Sequence, residues 1–235
     1  MNDVYNRFKL KFKKLKRLTL KLLMIISITF FVSTISLIIL MKYVNPPITV
    51  FMFFKSDVNN IKYKWVPINK ISPNLIKAVL VAEDKNFPNH FGFDFGAINA
   101  AINDWLWGKK IRGGSTITQQ TAKNLFLWEK PGIIKKIIES YFTLLLEIFW
   151  SKERILEVYL NIIETQKDKY GMQVACKHYF NKNLNNLSID EAVELAAKIP
   201  NPLGTYPEII KQNEARIHAE NDKYDCKSFI SEISE

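Results

Sequence analysis

Leu22 to Met41 is a run of twenty residues, LLMIISITFFVSTISLIILM, without a charged side chain. As a helix rising about 1.5 Å per residue it covers roughly 30 Å, the thickness of a bilayer's hydrocarbon core. A cleavable signal peptide would have a shorter apolar region and small residues at a processing site. Here Met41-Lys42-Tyr43-Val44-Asn45-Pro46-Pro47 follows instead, so the segment is expected to remain as a single-span anchor. Residues 1–21 carry eight basic side chains against one acid, Asp3, which places seven of the ten net positive charges before the span. Basic residues collect on the cytoplasmic side of a membrane helix. The N-terminus is therefore expected in the cytoplasm, with everything beyond Lys42 outside, which for a bacterial-type chain means the extracytoplasmic face of the inner membrane. Beyond residue 21 there are 25 basic and 22 acidic groups, too even a balance for a nucleic-acid-binding surface.

After the span the pattern is mostly helical. Ile48 to Phe54 (ITVFMFF) is too short to cross a bilayer and too apolar for a free linker. It fits a buried strand or a membrane-resting segment, with the strand preferred. Ser72-Pro73 pairs an N-cap with proline at the first helical position, ahead of Leu75, Ile76, Val79 and Leu80. Further helices are expected over about Asp94–Trp107, from Ser115, over about Ile133–Trp150, from Ser151, and from Ser188, where Ser188-Ile189-Asp190-Glu191 forms a capping box. No alternating run is long enough for a sheet-dominated fold. The polar stretch after about Pro207 is expected at the periphery. The organisation is thus a basic segment 1–21, a transmembrane helix 22–41, a membrane-proximal linker 42–62, a mostly helical exterior domain 63–207 and a polar tail 208–235. Cys176 and Cys226 lack metal-binding spacing, and the sequence leaves open whether they pair.

The chain has no GxGxxG, P-loop, HExxH or Ser-x-x-Lys motif and only three histidines, so attention falls on carboxylates. Glu83 and Asp84 close the first exterior helix, where the macrodipole disfavours anions. They stand among Phe87, Phe91, Phe93 and Phe95. Apolar surroundings raise a carboxyl's pKa and suit it to proton transfer; a solvated pair is the alternative. Arg112-Gly113-Gly114-Ser115 then opens a helix on which Thr116, Gln119, Gln120, Lys123 and Asn124 share an arc of roughly 140°. The glycine pair allows close backbone approach and Ser115 is placed to cap the helix. Amides, hydroxyls and one cation beside free helix N–H groups suit a phosphate or sugar ligand. Lys135 and Lys136 precede Glu139 by four and three residues, which taken alone is an ordinary surface ion pair.

Taken together these segments resemble the peptidoglycan glycosyltransferases of glycosyltransferase family 51, in their monofunctional, membrane-anchored form. The likeness covers roughly residues 63–207. It rests on Glu83-Asp84-x-x-Phe87-x-x-His90-x-Gly92, on Gly113-Gly114-Ser115-Thr116-Ile117-Thr118-Gln119-Gln120-x-x-Lys123-Asn124 and on Lys135-Lys136-x-x-Glu139. Ile155-Leu156-Glu157-x-Tyr159-Leu160-Asn161 and the helix end from Glu191-Ala192 to Pro202 complete it. The resemblance implies a mostly α, lysozyme-like glycosyltransferase domain on one N-terminal transmembrane helix. It implies a substrate, a disaccharide-pentapeptide on undecaprenyl pyrophosphate, joined into β-1,4 glycan strands with inversion. It also implies roles: Glu83 as general base, Glu139 as the second carboxylate at the departing pyrophosphate, and Asp84, Ser115, Thr116, Gln119, Gln120, Lys123, Asn124, Lys135 and Lys136 as substrate-binding residues. A divalent cation, magnesium or manganese, and other cell-wall synthesis proteins are implied as partners. Phe91, Phe93, Trp105 and Trp107 are candidates for contact with the membrane interface.

Two departures from the family pattern stand out. Lys135 occupies a position where the family usually has arginine, which keeps the charge and loses the bidentate fork. Glu164 to Tyr170 is charged and glycine-free where members carry a glycine-bearing turn, so a differently shaped loop is expected. A lysozyme-like glycan-cleaving enzyme would also use two carboxylates but has no need of a phosphate-binding helix. A catalytically degenerate membrane scaffold for wall assembly would have no need of both Glu83 and Glu139.

Overall fold

A computed structural model describes residues 2–107, 114–199, 207–221 and 223–234. The chain forms two units, Met1–Val44 and Asn45–Glu235. The first is a single helix, α1 (Asn2–Tyr43), whose stretch from Lys9 to Tyr43 is long and apolar enough to cross a membrane. Almost none of its apolar surface is covered by protein. Its hydroxyl groups bond back to the helix itself: Ser33 donates to the Thr29 carbonyl and Thr34 to that of Phe30, 2.9 Å away. That is how hydroxyls are satisfied where no water is present.

Among the described residues the second unit contains ten α-helices and a small sheet. Ile48–Phe54 is not a strand. Its core is a short helix, α2 (Val50–Lys55), opened by Thr49, whose hydroxyl accepts the Met52 N–H at 3.2 Å. Phe51 and Met52 are buried while Phe53 and Phe54 are exposed, a one-sided burial that a strand's alternation cannot give. An unbroken apolar run leaves strand and helix equally open; the Thr49 cap and the packing of α2 on α5 decide for the helix.

The core lies among α3 (Pro73–Glu83), α5 (Ile117–Phe126), α7 (Lys152–Ile162) and α9 (Ile189–Lys198). Leu75, Ile76, Val79 and Leu80 of α3 are buried as their spacing requires. On α7, Ile155, Val158, Tyr159 and Ile162 are buried together with Leu156 and Leu160, because this helix is packed against α5 on one side and α8 (Met172–Phe180) on another. Ser151 and Ser188 cap α7 and α9 through their side chains, and Glu191 closes the capping box at Ser188. α4 (Phe95–Leu106) and α6 (Ile133–Phe149) complete the helices expected from the sequence.

Two expectations change. Helix α5 is capped by Thr116, not Ser115. The Thr116 hydroxyl accepts the Gln119 N–H and the Gln119 side chain returns to the Thr116 N–H at 3.0 Å, a reciprocal box that needs an amide three residues on. Ser115, one residue earlier, is exposed. The polar stretch after Pro207 is also not peripheral: α10 (Pro207–Asn221) packs on α3 and α9 and buries Ile217, and α11 (Lys227–Ser234) follows.

Glu164–Tyr170 folds as a tight hairpin of β2 (Glu164–Gln166) and β3 (Lys169–Tyr170), with β1 (Lys62–Tyr63) added parallel to β3 in the order β1-β3-β2. Asp168 takes the left-handed conformation of the turn, φ 59°, which aspartate tolerates better than most residues. Gly171 follows at φ +84°, where a Cβ would stand 2.5 Å from the Asn161 carbonyl oxygen. Both cysteines are buried and free.

Candidate active site

The site begins at the end of α3. Glu83 is its last residue and Asp84 its C-cap, and two contacts remove the conflict of these acids with the helix dipole. Arg216 from α10 donates to the carbonyls of Val81 and Ala82 at 3.3 and 3.1 Å, supplying the cation that a helix C-terminus favours. Asp84 turns away instead: one carboxylate oxygen accepts the Ile117 N–H at 2.9 Å, at the start of α5, where an anion is favoured. His90 Nε2 lies 3.0 and 2.9 Å from the two Asp84 oxygens. Asp84 is thus buried and engaged within the fold, joining α3 to α5.

Glu83 remains partly exposed. Gln120 donates to its carboxylate at 2.7 Å, and the buried Tyr159 hydroxyl donates to the Gln120 oxygen at 3.3 Å, fixing the amide's orientation. Burial pushes the Glu83 carboxyl above its ordinary range, against the pull of the Gln120 bond and of the Arg216 and Lys123 charges. A carboxyl so held is a proton acceptor closer to neutral pH than a solvated one.

Lys123 lies one turn beyond Gln120 on α5. Burial holds its ammonium below the usual range, while the charges of Glu139 and Glu83 both pull it back up. Lys123 therefore lies within the electrostatic range of both carboxylates, which stand on different helices. Glu139 is 6% exposed on α6, and Lys136 pairs with it at 2.5 Å. Lys135 is also buried; it donates to the Glu129 carbonyl at 3.1 Å and feels the charges of Glu139 and Glu129. Lys55 of α2 bridges Glu129 at 3.0 Å and Glu164 at 2.7 Å, and both Lys55 and Lys123 lie near the Phe51 ring. The result is a lysine-rich face, Lys55, Lys123, Lys135 and Lys136, set among Glu83, Glu139, Glu129 and Glu164.

The residues singled out in the sequence fall into two groups. Glu83, Gln120, Lys123, Lys135, Lys136 and Glu139 come together on this face. Asp84, Thr116 and Gln119 are spent on the fold, and Asn124 is buried. The polar arc of α5 is consequently not an open stripe, because α6 and α7 cover most of the helix. Arg112 and Gly113 lie outside the described residues, as do Pro200 to Pro202 and the side chain of Trp105.

A transglycosylase family profile matches residues 52–223, which contain every residue of this face. The chain belongs to the transglycosylase family. It is 45% identical over 178 residues to a protein of Shewanella oneidensis named biosynthetic peptidoglycan transglycosylase, covering 74% of this chain and 76% of the relative. Proteins of the same name from Pasteurella multocida and Caulobacter vibrioides are 44% and 40% identical, the first covering 74% of both chains, the second 80% of this chain and 82% of the relative.

In this transglycosylase several supporting residues escaped the sequence reading. Thr118 donates to Glu147 at 2.6 Å; Lys152 donates to Glu147 at 2.8 Å and to the His90 carbonyl at 2.6 Å. This buried chain ties α5 and α6 to the loop after Asp84. Arg216 came from a stretch with no motif, and Lys55 stands one residue beyond the run read as a strand. Neither carries a local signal, since each acquires its role only by packing. Among the described residues no group of three His, Cys, Asp or Glu side chains could hold a metal ion. Glu139 already shares an oxygen with Lys136, so the cationic face does not fit a divalent cation held by protein groups alone.

Proposed function

We propose that the chain polymerises peptidoglycan glycan strands, with Glu83 and Glu139 as its working carboxylates. The substrate is a lipid-linked peptidoglycan precursor, a disaccharide-pentapeptide on undecaprenyl pyrophosphate. The observation that supports this reading most is the position of Lys123, a buried cation that feels the charges of both Glu83 and Glu139. Glu83 takes the proton of the acceptor sugar hydroxyl as that oxygen attacks the anomeric carbon of the growing strand. The bond to pyrophosphate breaks on the opposite face, which inverts the centre. The leaving group departs as an anion, so its charge must be met: Lys123, Lys135 and Lys136 stand where a polyphosphate can be held. Glu139 keeps Lys136 in place and balances the face before the substrate arrives. Asp84, Thr116 and Gln119 position α5 and do not contact substrate.

The chain is membrane-anchored through α1, and with the N-terminal cations on the cytoplasmic side the catalytic unit lies outside. A lipid-linked substrate needs a site at the bilayer surface. Exposed Phe91 and Trp107 and the open apolar side of α6, with Ile133, Ile134, Ile137 and Ile148, suit that setting. The test is polymer formation from purified lipid-linked precursor by the full-length chain. Glycan polymer is expected from the precursor and no cleavage of finished glycan; the absence of polymer would overturn the reading. Lys123→Ala is expected to weaken precursor binding by ~10-fold or more, the usual scale for a charge-assisted contact, measured by titration; unchanged affinity would remove its phosphate role.

A further inference from the structure

Away from the catalytic face, the extramembrane unit has a groove lined by cations and no acid. It is a shallow cavity of about 470 Å³ formed by β1, β3 and α8, with Lys62, Lys64, Lys169, Lys177 and His178 in its wall. The parallel ladder sets Lys62 directly opposite Lys169, and like charges in that relation destabilise a sheet. Lys169 Nζ stands 3.2 Å from His178 Nδ1. Burial and the charges of Lys169 and Lys62 depress the His178 pKa. Among the described residues none of the four lysines is in an ion pair. The partners of Lys169 and Lys177 are neutral: the Gln166 side chain and His178 for the first, the Asn181 carbonyl for the second. Two lysines close by in the sequence are matched, Lys182 by Glu191 and Lys198 by Glu194. The groove therefore keeps an uncompensated positive field.

The chain also limits how far this groove's strand can stand from the end of the apolar run. The Tyr63 hydroxyl of β1 donates to the Pro46 carbonyl at 3.0 Å. Pro46 stands five residues beyond Met41, where the charge-free run ends. Five residues extend at most about 17 Å, and roughly 5–7 Å of that is headgroup layer. The strand between Lys62 and Lys64 is thus tied to a residue that the chain keeps within about 17 Å of the end of the apolar run.

We propose that this groove binds the phosphate headgroup of an anionic lipid, giving the extramembrane unit a second, electrostatic hold on the membrane. The proposal rests on α1 being a membrane anchor. Several ammonium groups around one concavity suit a phosphate diester, and each lysine near an anionic leaflet strengthens association by roughly fivefold. The full-length chain, placed in nanodiscs of phosphatidylcholine with or without phosphatidylglycerol, can be labelled at its amines and read by peptide mass spectrometry. With phosphatidylglycerol the reactivity of Lys62, Lys64, Lys169 and Lys177 is expected to fall about fivefold or more, while exposed Lys211 and Lys223 stay unchanged. Lys62→Glu with Lys64→Glu, both at exposed positions, should abolish that protection at Lys169 and Lys177. Dissolved glycerol phosphate in phosphatidylcholine discs separates the sources of the same chemistry, and is expected to protect only weakly. Equal labelling in the two lipids, or protection by glycerol phosphate or an acidic peptide with none by phosphatidylglycerol, would overturn the proposal alone. A chain that fails to enter the discs would overturn the anchor, and the proposal with it.

Discussion

At Gly92 the backbone sits at φ +78°, and a Cβ there would stand 2.8 Å from Thr143 Cγ2 and 3.1 Å from Glu147 Cγ. Its carbonyl accepts the Thr116 hydroxyl at 2.7 Å, so the same residue holds the N-cap of α5. Gly92→Ala is expected to cost about 1–3 kcal/mol through backbone strain and crowding against α6, seen as a lower Tm in thermal unfolding. Thr116 joins two functions in one hydroxyl, capping α5 and bonding Gly92. Thr116→Ala should lower stability by roughly 0.5–2 kcal/mol, the range for a lost cap, and denaturant unfolding would measure it. Both residues lie in stretches whose motifs were evident, yet their parts were not. The sequence marks Gly92 and Thr116 as members of a pattern, while the contact between them is a matter of three-dimensional closure.

Between α3 and α10 the decisive contact is Arg216 on the carbonyls of Val81 and Ala82. Its charge also favours the ionised form of Glu83. Removing that cation raises the Glu83 pKa further, so the base form requires a higher pH. Arg216→Gln is therefore expected to move the acid limb of the kcat/KM profile to higher pH, with Arg216→Lys intermediate; an unmoved limb would deny the coupling. Helices α3, α7 and α9 were legible because serine caps on α7 and α9, proline at the first position of α3 and apolar spacing act within a few residues, although Ser72 makes no capping bond with its side chain. The short helix α2 was not, because ITVFMFF has no polar break to set its period. The tail was misjudged for a related reason: α10 buries only a narrow apolar strip, and its value to the site is one guanidinium aimed at a helix end.

For the whole molecule, composition alone marked the membrane helix, since twenty uncharged residues after eight cations admit few other readings. The mostly α character was equally legible. The face proposed as catalytic was legible in part. Glu83, Gln120, Lys123, Lys135, Lys136 and Glu139 were named from their segments, but the sequence could not separate them from Asp84, Thr116 and Gln119, whose side chains hold α5 in place. Burial makes that separation, and burial is decided by how α6 and α7 close over α5. The measurement that bears most directly on the proposed chemistry is polymer formation by Glu83→Gln, with thermal unfolding followed on the same preparation. A carboxyl whose pKa is raised by folding opposes folding once ionised, and that penalty grows as pH rises through the folded-state value. The neutral amide removes it, so the Tm of the variant should equal or exceed that of the parent. Polymerisation should fall by about 10²–10⁴-fold, the scale of a lost general base. A well-folded Glu83→Gln chain that makes polymer at the parent's rate would contradict the role given to this carboxylate.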